Sequence, residues 1–386
     1  MMDNSLIDHT RSIENLALGR SATHPEQTPA HSTSNIATPS LAAASADTSP
    51  TRGRISDGTV LHAPAMTENT PQTPAQATRA GFAAIIGAPN AGKSTLVNRM
   101  VGAKVSIVTQ KVQTTRFPVR GVAMTGGAQI ILVDTPGIFT PRRRLDRAMV
   151  RSAWAGAEDS EVVVHLVDVQ GELAVRERRA GAGEHRSVQD VQTIIEGLKA
   201  ANRQVILALN KIDGVKRETL LAVAHDLYET GVYSEVFMIS AATGAGVDDL
   251  MAKLASLMPE GPWLYPEDQT ADLPARLLAA EITREKIYLR VHEELPYAAS
   301  VETTAFQERA DGSARIEQTI YVERDGQRAI ILGKGGEVIK WIGKTSREEL
   351  EDILDRKVHL FLHVKVKENW AEERGIFNDM GLDFDV

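Results

Sequence analysis

Residues 87–94 read Gly87-Ala88-Pro89-Asn90-Ala91-Gly92-Lys93-Ser94, fitting GxxxxGKS, between an apolar run, Phe82 to Ile86, and a helical stretch, Ser94 to Met100. A glycine-rich turn from strand to helix lines itself with backbone N–H groups, and the helix N-terminus adds partial positive charge, which together cradle phosphate. In such a loop Lys93 reaches the β- and γ-phosphates, the Ser94 hydroxyl ligates magnesium, and Thr95 shares the same first helical turn. The loop alone leaves adenine and guanine nucleotides equally open. Asn210-Lys211-Ile212-Asp213, ending the apolar strand Val205 to Leu209, narrows the base. Asp213 can accept two hydrogen bonds from guanine N–H groups, an edge adenine does not offer, while Asn210 can bond the keto side. A site built to pair a polar edge rejects an analogue lacking it by factors of about 10⁴.

The remaining parts of such a site are present in chain order. Gln129 to Val133 is an apolar strand running into Asp134-Thr135-Pro136-Gly137. There Asp134 is placed to hold the magnesium shell through water, and the Gly137 N–H to bond the γ-phosphate. Ser240-Ala241-Ala242-Thr243-Gly244 follows the strand Glu235 to Ile239 and would support the base with backbone N–H groups. Within Gln113-Thr114-Thr115-Arg116, Thr115 is favoured over Thr114 to close over the metal in the triphosphate state. Each segment lies at the carboxyl end of a strand, where open α/β sheets bind ligands. GTP and GDP, with Mg2+, are the expected ligands. Ile138 follows Gly137 where many GTPases carry a water-orienting glutamine, so hydrolysis must rest on electrostatics and positioning by Lys93, Asn90, Thr115 and Gly137. Arg116 is an alternative source of positive charge in cis.

The elements that position these residues read as an α/β fold: a doubly wound, mostly parallel sheet of the P-loop GTPase kind over residues 79–258, followed by a smaller α+β domain. The 386-residue chain has no cysteine, which excludes disulfides and thiolate metal sites. No apolar run reaches the roughly 18 residues of a membrane-spanning helix, and no secretory signal opens the chain. The net charge of −8 is uneven: residues 1–80 carry −2 and residues 368–386 carry −5, so the body does not repel RNA. Residues 1–78, rich in Ala, Ser, Thr and Pro, are expected to be disordered, and Met66 is a candidate true start. Gly171 to Arg186, with Arg176, Arg178, Arg179 and Arg186, reads as a surface loop or, more sharply, as an extra RNA or ribosome contact. Residues 259–274 read as a linker and residues 368–386 as an acidic tail.

In residues 275–367 a helical pattern is followed by two alternating strands around Asp311-Gly312, a short helix, Gly333-Lys334-Gly335-Gly336, a longer helix from Glu337 and a last strand. This is the order of a type II KH module, whose GxxG loop clamps a single-stranded backbone. Glycines admit phosphate close to the main chain, the next helix N-terminus attracts it, and Lys334 adds charge. Lys340, Lys344 and Arg347 extend a basic face that either touches RNA or is simply the helix's solvated side.

A GTP-binding domain followed by one KH domain resembles the Era GTPase family, bacterial proteins of small ribosomal subunit maturation. The resemblance runs from about residue 80 onward and is carried by QTTR, VDTPGI, NKID, SAATG, ELPYAASVE, ILGKGG and VKVKENW. It implies cytoplasmic GTP hydrolysis coupled to binding single-stranded RNA near the 3′ end of the 16S rRNA of the small (30S) subunit, by a monomer. It also implies peripheral association with the inner membrane, for which the sequence shows no lipidation signal or amphipathic anchor. Relatives with this asparagine and an aliphatic residue after DTPG hold potassium beside the phosphates. Asn90 is therefore expected either to bind K+ as a substitute for an arginine finger or only to stabilise the loop turn. Departures from the family are the N-terminal lead, the Arg-rich segment and Leu332 before GKGG. Competing readings are an RNA scaffold in which GTP is structural, and a GTPase of tRNA modification or the large subunit.

Overall fold

The computed structural model describes residues 78–291 and 295–386; the expectations for residues 1–77, including the start at Met66, lie outside them. β1 (Arg79–Ile86) occupies the middle of a seven-stranded sheet of order β6-β5-β4-β1-β3-β2-β7. Its run Gly81-Phe82-Ala83-Ala84-Ile85-Ile86 is apolar on both faces, as a central parallel strand requires. β1 pairs in parallel with β3 (Ala128–Asp134) and β4 (Val162–Asp168), and β4 continues to β5 (Val205–Asn210) and β6 (Tyr233–Met238). β2 (Val119–Thr125) runs antiparallel to β3 through the turn at Gly126-Gly127.

The alternation of β1 divides the core in two. Ala84 and Ile86 pack beneath α2 (Arg144–Glu158), α4 (Ala182–Ala200) and α5 (Arg217–Tyr228), with Ala153, Ile194 and Val223 fully buried. Ala83 and Ile85 face α1 (Lys93–Val101) and α6 (Val247–Leu257) through Leu96, Val97, Leu250 and Leu254. Each such buried aliphatic side chain contributes roughly 1.5–3 kcal/mol of hydrophobic stabilisation. The strand carboxyl ends of β1, β3, β5 and β6 therefore open on one edge of a rigid layer.

Three segments differ from their sequence reading. The Arg-rich stretch is mostly helix, not loop: α3 (Val169–Arg176) is capped by Asp168, whose carboxylate accepts from Gln170 N and Gly171 N, and α4 begins at Ala182. Its glycines masked the helical pattern. Arg176 pairs with Asp226 at 2.6 Å and Arg179 with Glu177 at 2.5 Å. The segment between the domains is built into the sheet, because β7 (Ala271–Asp272) pairs with Gly121 and Arg120 of edge strand β2. Gln129, fully buried on β3, fixes the same segment by accepting from Leu264 N and Tyr265 N at 2.8 and 2.9 Å and donating to Tyr265 O at 2.8 Å. The acidic C-terminal stretch is also packed: α10 (Arg374–Asp379) and its flanks bury Trp370, Phe377 and Leu382 against Phe117, Val119, Leu145 and Met149.

The second domain begins with α7 (Ala275–Arg290). β8 (Ala299–Glu308), β9 (Ala314–Val322) and β10 (Val358–Val366) form a sheet of order β10-β9-β8, with β8 antiparallel and β10 parallel to β9. α8 (Asp325–Leu332) leads through Lys334–Gly336 to α9 (Glu337–Leu354). Ile287, Ile320, Ile331 and Ile342 fill the core between helices and sheet. This is the α-β-β-α-GxxG-α-β order of a KH domain.

Candidate nucleotide and RNA sites

The phosphate loop bends because two positions take left-handed backbone: Asn90 at φ 62° and Gly92 at φ 100°. A Cβ on Gly92 would lie 2.4 Å from Asn210 Nδ2, so only glycine lets the loop approach β5 this closely. Lys93, at the N-terminus of α1, is 7% exposed and donates from Nζ to Gly87 O at 3.1 Å and Ala88 O at 3.0 Å. Burial lowers its pKa to about 8, against the attraction of Asp134, which favours the charged form. Ala88, Ala91 and Ile138 are buried beneath the loop, and Ile138 N donates to Gly87 O at 3.1 Å. The Ile138 side chain thus belongs to the core and has no reach toward a water. A Cβ on Gly137 would lie 3.0–3.1 Å from three atoms of Pro89, which holds Asp134-Thr135-Pro136-Gly137 tightly over the loop. Thr135 Oγ1 anchors that turn to Ile85 O at 2.7 Å.

Three hydroxyl and carboxylate groups from distant parts of the chain meet beside Lys93. Ser94 Oγ donates to Asp134 Oδ2 at 2.7 Å and lies 2.9 Å from Thr115 Oγ1, which lies 3.3 Å from the same carboxylate oxygen. Asp134 is fully buried, burial pushes its carboxyl pKa up, and its Oδ1 has no hydrogen-bond partner among the described residues. Thr114 turns the other way, bonding Thr109 Oγ1 at 2.6 Å and Lys111 O at 2.7 Å. Asn90 Nδ2 donates to Gln110 O at 3.0 Å, tying the phosphate loop to the same segment. Arg116 does not face the phosphate loop: it is 2% exposed, donates to Ala299 O at 3.0 Å and Tyr297 O at 3.3 Å, and stacks 5.4 Å from the Trp370 ring centroid.

The base side is a lattice of short bonds at the ends of β4, β5 and β6. Asn210 Nδ2 donates to Ala91 O at 2.7 Å, and its Oδ1 accepts from Ala241 N at 2.9 Å, so one side chain joins phosphate loop to base loop. Asp213 Oδ1 accepts from Ser240 Oγ at 2.6 Å. Arg99 closes the loop from beneath through the carbonyls of Ala241, at 3.3 Å, and Ala242. Two residues here escaped the sequence reading. Asp168 pairs with Lys211 Nζ at 2.6 Å, and Gln170 Nε2 donates to Lys211 O at 2.9 Å and Asp213 O at 3.2 Å. Asp168 had a signal, since it ends β4 as Asp134 ends β3.

In the second domain, Gly333 stands at φ 71°, and a Cβ there would meet Val338 Cγ2 at 2.5 Å. The turn Lys334-Gly335-Gly336 leads directly into α9, and Lys340 Nζ donates back to Gly335 O at 3.3 Å. Lys344 and Glu348 stand 3.8 Å apart on the solvated face. Residues 104–116 carry much of the contact between the two domains. Arg144 faces the C-terminal segment, pairing with Glu372 at 3.1 Å and lying 4.4 Å from the Phe384 ring centroid.

A phosphate loop, a converging oxygen triad and a base-reading loop on one crevice, joined to a GxxG module, define a GTPase with a KH domain. A family model described as 50S ribosome-binding GTPase matches residues 82–211, and a KH domain model matches residues 294–371. GTPase Era of Caulobacter vibrioides is 82% identical over 309 residues, covering 80% of this chain and 98% of the relative. That of Maricaulis maris is 59% identical over 308 residues, with the same coverage of 80% and 98%. Among solved structures, Era in complex with MgGDPNP and nucleotides 1506–1542 of 16S ribosomal RNA matches at TM-score 0.71 and 36% identity, covering 79% of this chain and 99% of that one. The Aquifex aeolicus Era bound to GDP·AlF4− matches at the same TM-score of 0.71 and 36% identity, with the same coverage. The chain belongs to the Era family.

Proposed function

We propose that this chain hydrolyses GTP to GDP and phosphate and uses the nucleotide state to control binding of single-stranded RNA at the 3′ end of 16S rRNA, during small-subunit assembly in the cytoplasm. The observation that carries this reading is the meeting of Thr115, Ser94 and Asp134 within 2.7–3.3 Å on a segment that also touches the KH domain. The three oxygen-bearing side chains and the unbonded Asp134 Oδ1 suit a hard divalent cation. Magnesium bound there would offset negative charge on the phosphates. Ser94 and Thr115 would hold it directly and Asp134 through water. Lys93, bonded now to Gly87 O and Ala88 O, is within the loop where the β- and γ-phosphates would lie. The Gly137 N–H would bond the γ-phosphate. Ser240 and Ala241 hold Asp213 and Asn210, and with Ala242 they would support the base through backbone N–H groups. Gly333, Lys334, Gly335 and Gly336 would clamp the RNA backbone, with Lys340 and Lys344 following it along α9.

The test is RNA affinity measured with a non-hydrolysable GTP analogue and with GDP, alongside the Lys93→Ala chain. Equal affinities in both states, with normal RNA binding by Lys93→Ala, would support a scaffold in which the nucleotide is only structural. The 50S description belongs to a model covering residues 82–211 alone. The rRNA-bound Era aligns over both domains, which favours the small subunit. Asn90 is further proposed to hold potassium. Hydrolysis at equal rates in sodium and potassium would remove that role and leave Asn90 as the tie to Gln110. No helix among the described residues is long and apolar enough to cross a membrane.

A further inference from the structure

The segment bearing Thr115 is gripped from the second domain. Arg284 of α7, 2% exposed, donates from Nη2 to Thr114 O at 2.5 Å, one peptide before Thr115. Its guanidinium is fixed by Glu281, one turn earlier, with Nε to Oε1 at 2.7 Å, and lies 5.3 Å from the Tyr288 ring centroid. Tyr288 Oη donates to Gln113 O at 3.4 Å. Glu285 accepts from Val108 N at 2.9 Å and from Lys104 Nζ at 2.7 Å, and Lys111 Nζ reaches Val291 O. All these bonds fall within residues 104–114 on the GTPase side. The next side chain along, Thr115, closes on Ser94 and Asp134. A buried bond from a charged donor is worth more than a neutral one, so Arg284 is the strongest of these restraints on the Thr114–Thr115 peptide.

We propose that Arg284 is a positioning residue for GTP hydrolysis: it fixes the backbone at Thr114, sets the Thr115 hydroxyl at the metal site, and so completes the nucleotide site from the KH domain. The proposal rests on the GTPase reading above. Thr115 serves the metal and γ-phosphate end of the nucleotide, so Arg284 bears on turnover and not on GDP. Through the same contacts, whatever draws α7 away from residues 113–114 loosens the site, giving the RNA-binding domain a hold on the chemistry.

The experiment uses the full chain: steady-state GTP hydrolysis with magnesium, and GDP binding by calorimetry, for wild type, Arg284→Gln and Arg284→Lys. Loss of a charge-assisted bond predicts a kcat about ten- to a hundred-fold lower in Arg284→Gln, a GDP Kd within about two-fold of wild type, and partial recovery in Arg284→Lys. A folded Arg284→Gln with kcat within about two-fold of wild type overturns the proposal, as does a parallel fall of kcat and GDP affinity. Should Arg284→Gln not fold, Tyr288→Phe removes only the hydroxyl with which α7 bonds the neighbouring carbonyl, Gln113 O, on the same segment. A drop of about three-fold in its kcat at constant GDP affinity supports the proposal, and an unchanged kcat overturns it. A wild-type chain that leaves GTP intact would sink the GTPase reading itself.

Discussion

Asn210 offers a sharp quantitative test, because one buried amide joins the two halves of the nucleotide site. It is 2% exposed, and its partners Ala91 and Ala241 are 1% and 2% exposed. Asn210→Ala removes the donor to Ala91 O and the acceptor for Ala241 N, leaving two buried backbone groups without partners. Each orphaned group costs about 1–3 kcal/mol, so the variant should lose about 2–6 kcal/mol of folding stability. Ser240→Ala is the matched control. It loses a bond of 2.6 Å to Asp213 and one of 3.2 Å from Thr243 N; Ser240 is itself buried, but both partners are exposed to water that replaces the lost bonds, so it should lose only about 1 kcal/mol. Urea unfolding without nucleotide measures both, and calorimetry with GDP reads the site. Asn210→Ala is expected to weaken GDP by at least about ten-fold, because phosphate loop and base loop lose their common tie. Stability of Asn210→Ala within about 0.5 kcal/mol of wild type, or a larger loss in Ser240→Ala, would refute the reasoning.

Three further outcomes follow from the same structure. His165 is fully buried on β4, and burial, with a smaller push from the Lys93 charge, lowers its pKa to about 3 from 6.5. Its stabilising contribution is therefore complete above pH 6.5 and lost as pH falls toward 3: about 2 kcal/mol should be gone at pH 5, and His165→Gln should flatten that limb of the stability curve. Gln170→Ala removes the two bonds that shape Lys211 and Asp213, and should weaken GDP about three- to ten-fold with little change in melting temperature. Trp370, 1% exposed and bonded from Nε1 to Ala298 O at 2.9 Å, should cost about 3–5 kcal/mol on replacement by alanine, and limited proteolysis should then cut the C-terminal segment first.

The crevice was legible because its chemistry depends on residues at strand ends, and strand ends are where period and composition change together. The run Gln129 to Val133 is too short and too apolar for an amphipathic helix and stops at a turn, so the carboxylate that ends it, Asp134, is placed by the pattern alone. Gln170 was not legible: its work is to bond two carbonyls across 41 and 43 residues, which no local pattern encodes. The Arg-rich stretch misled because Gly171, Gly181 and Gly183 lower helix propensity, while the caps from Asp168 and Glu184 and the burial of Leu173 and Val191 outweigh it. The C-terminal stretch looked like a tail because its net charge hid the spacing of Trp370, Phe377 and Leu382, which becomes meaningful only against a partner surface. Arg284 was silent for the same reason, since an arginine amid a helix gives no sign that it meets a carbonyl 170 residues earlier.

The two-residue strand β7 has a consequence for how the protein tolerates change in length. Ala271 and Asp272 are stitched to β2, and Leu264 and Tyr265 are pinned by Gln129, so the span joining the domains has no slack at either place. Extra residues inserted between Pro266 and Gln269 would bulge outward and leave both halves undisturbed. One residue added between Asp272 and Ala275 would instead rotate α7 by about 100° about its axis or push it along by about 1.5 Å, unseating Arg284 from its carbonyl.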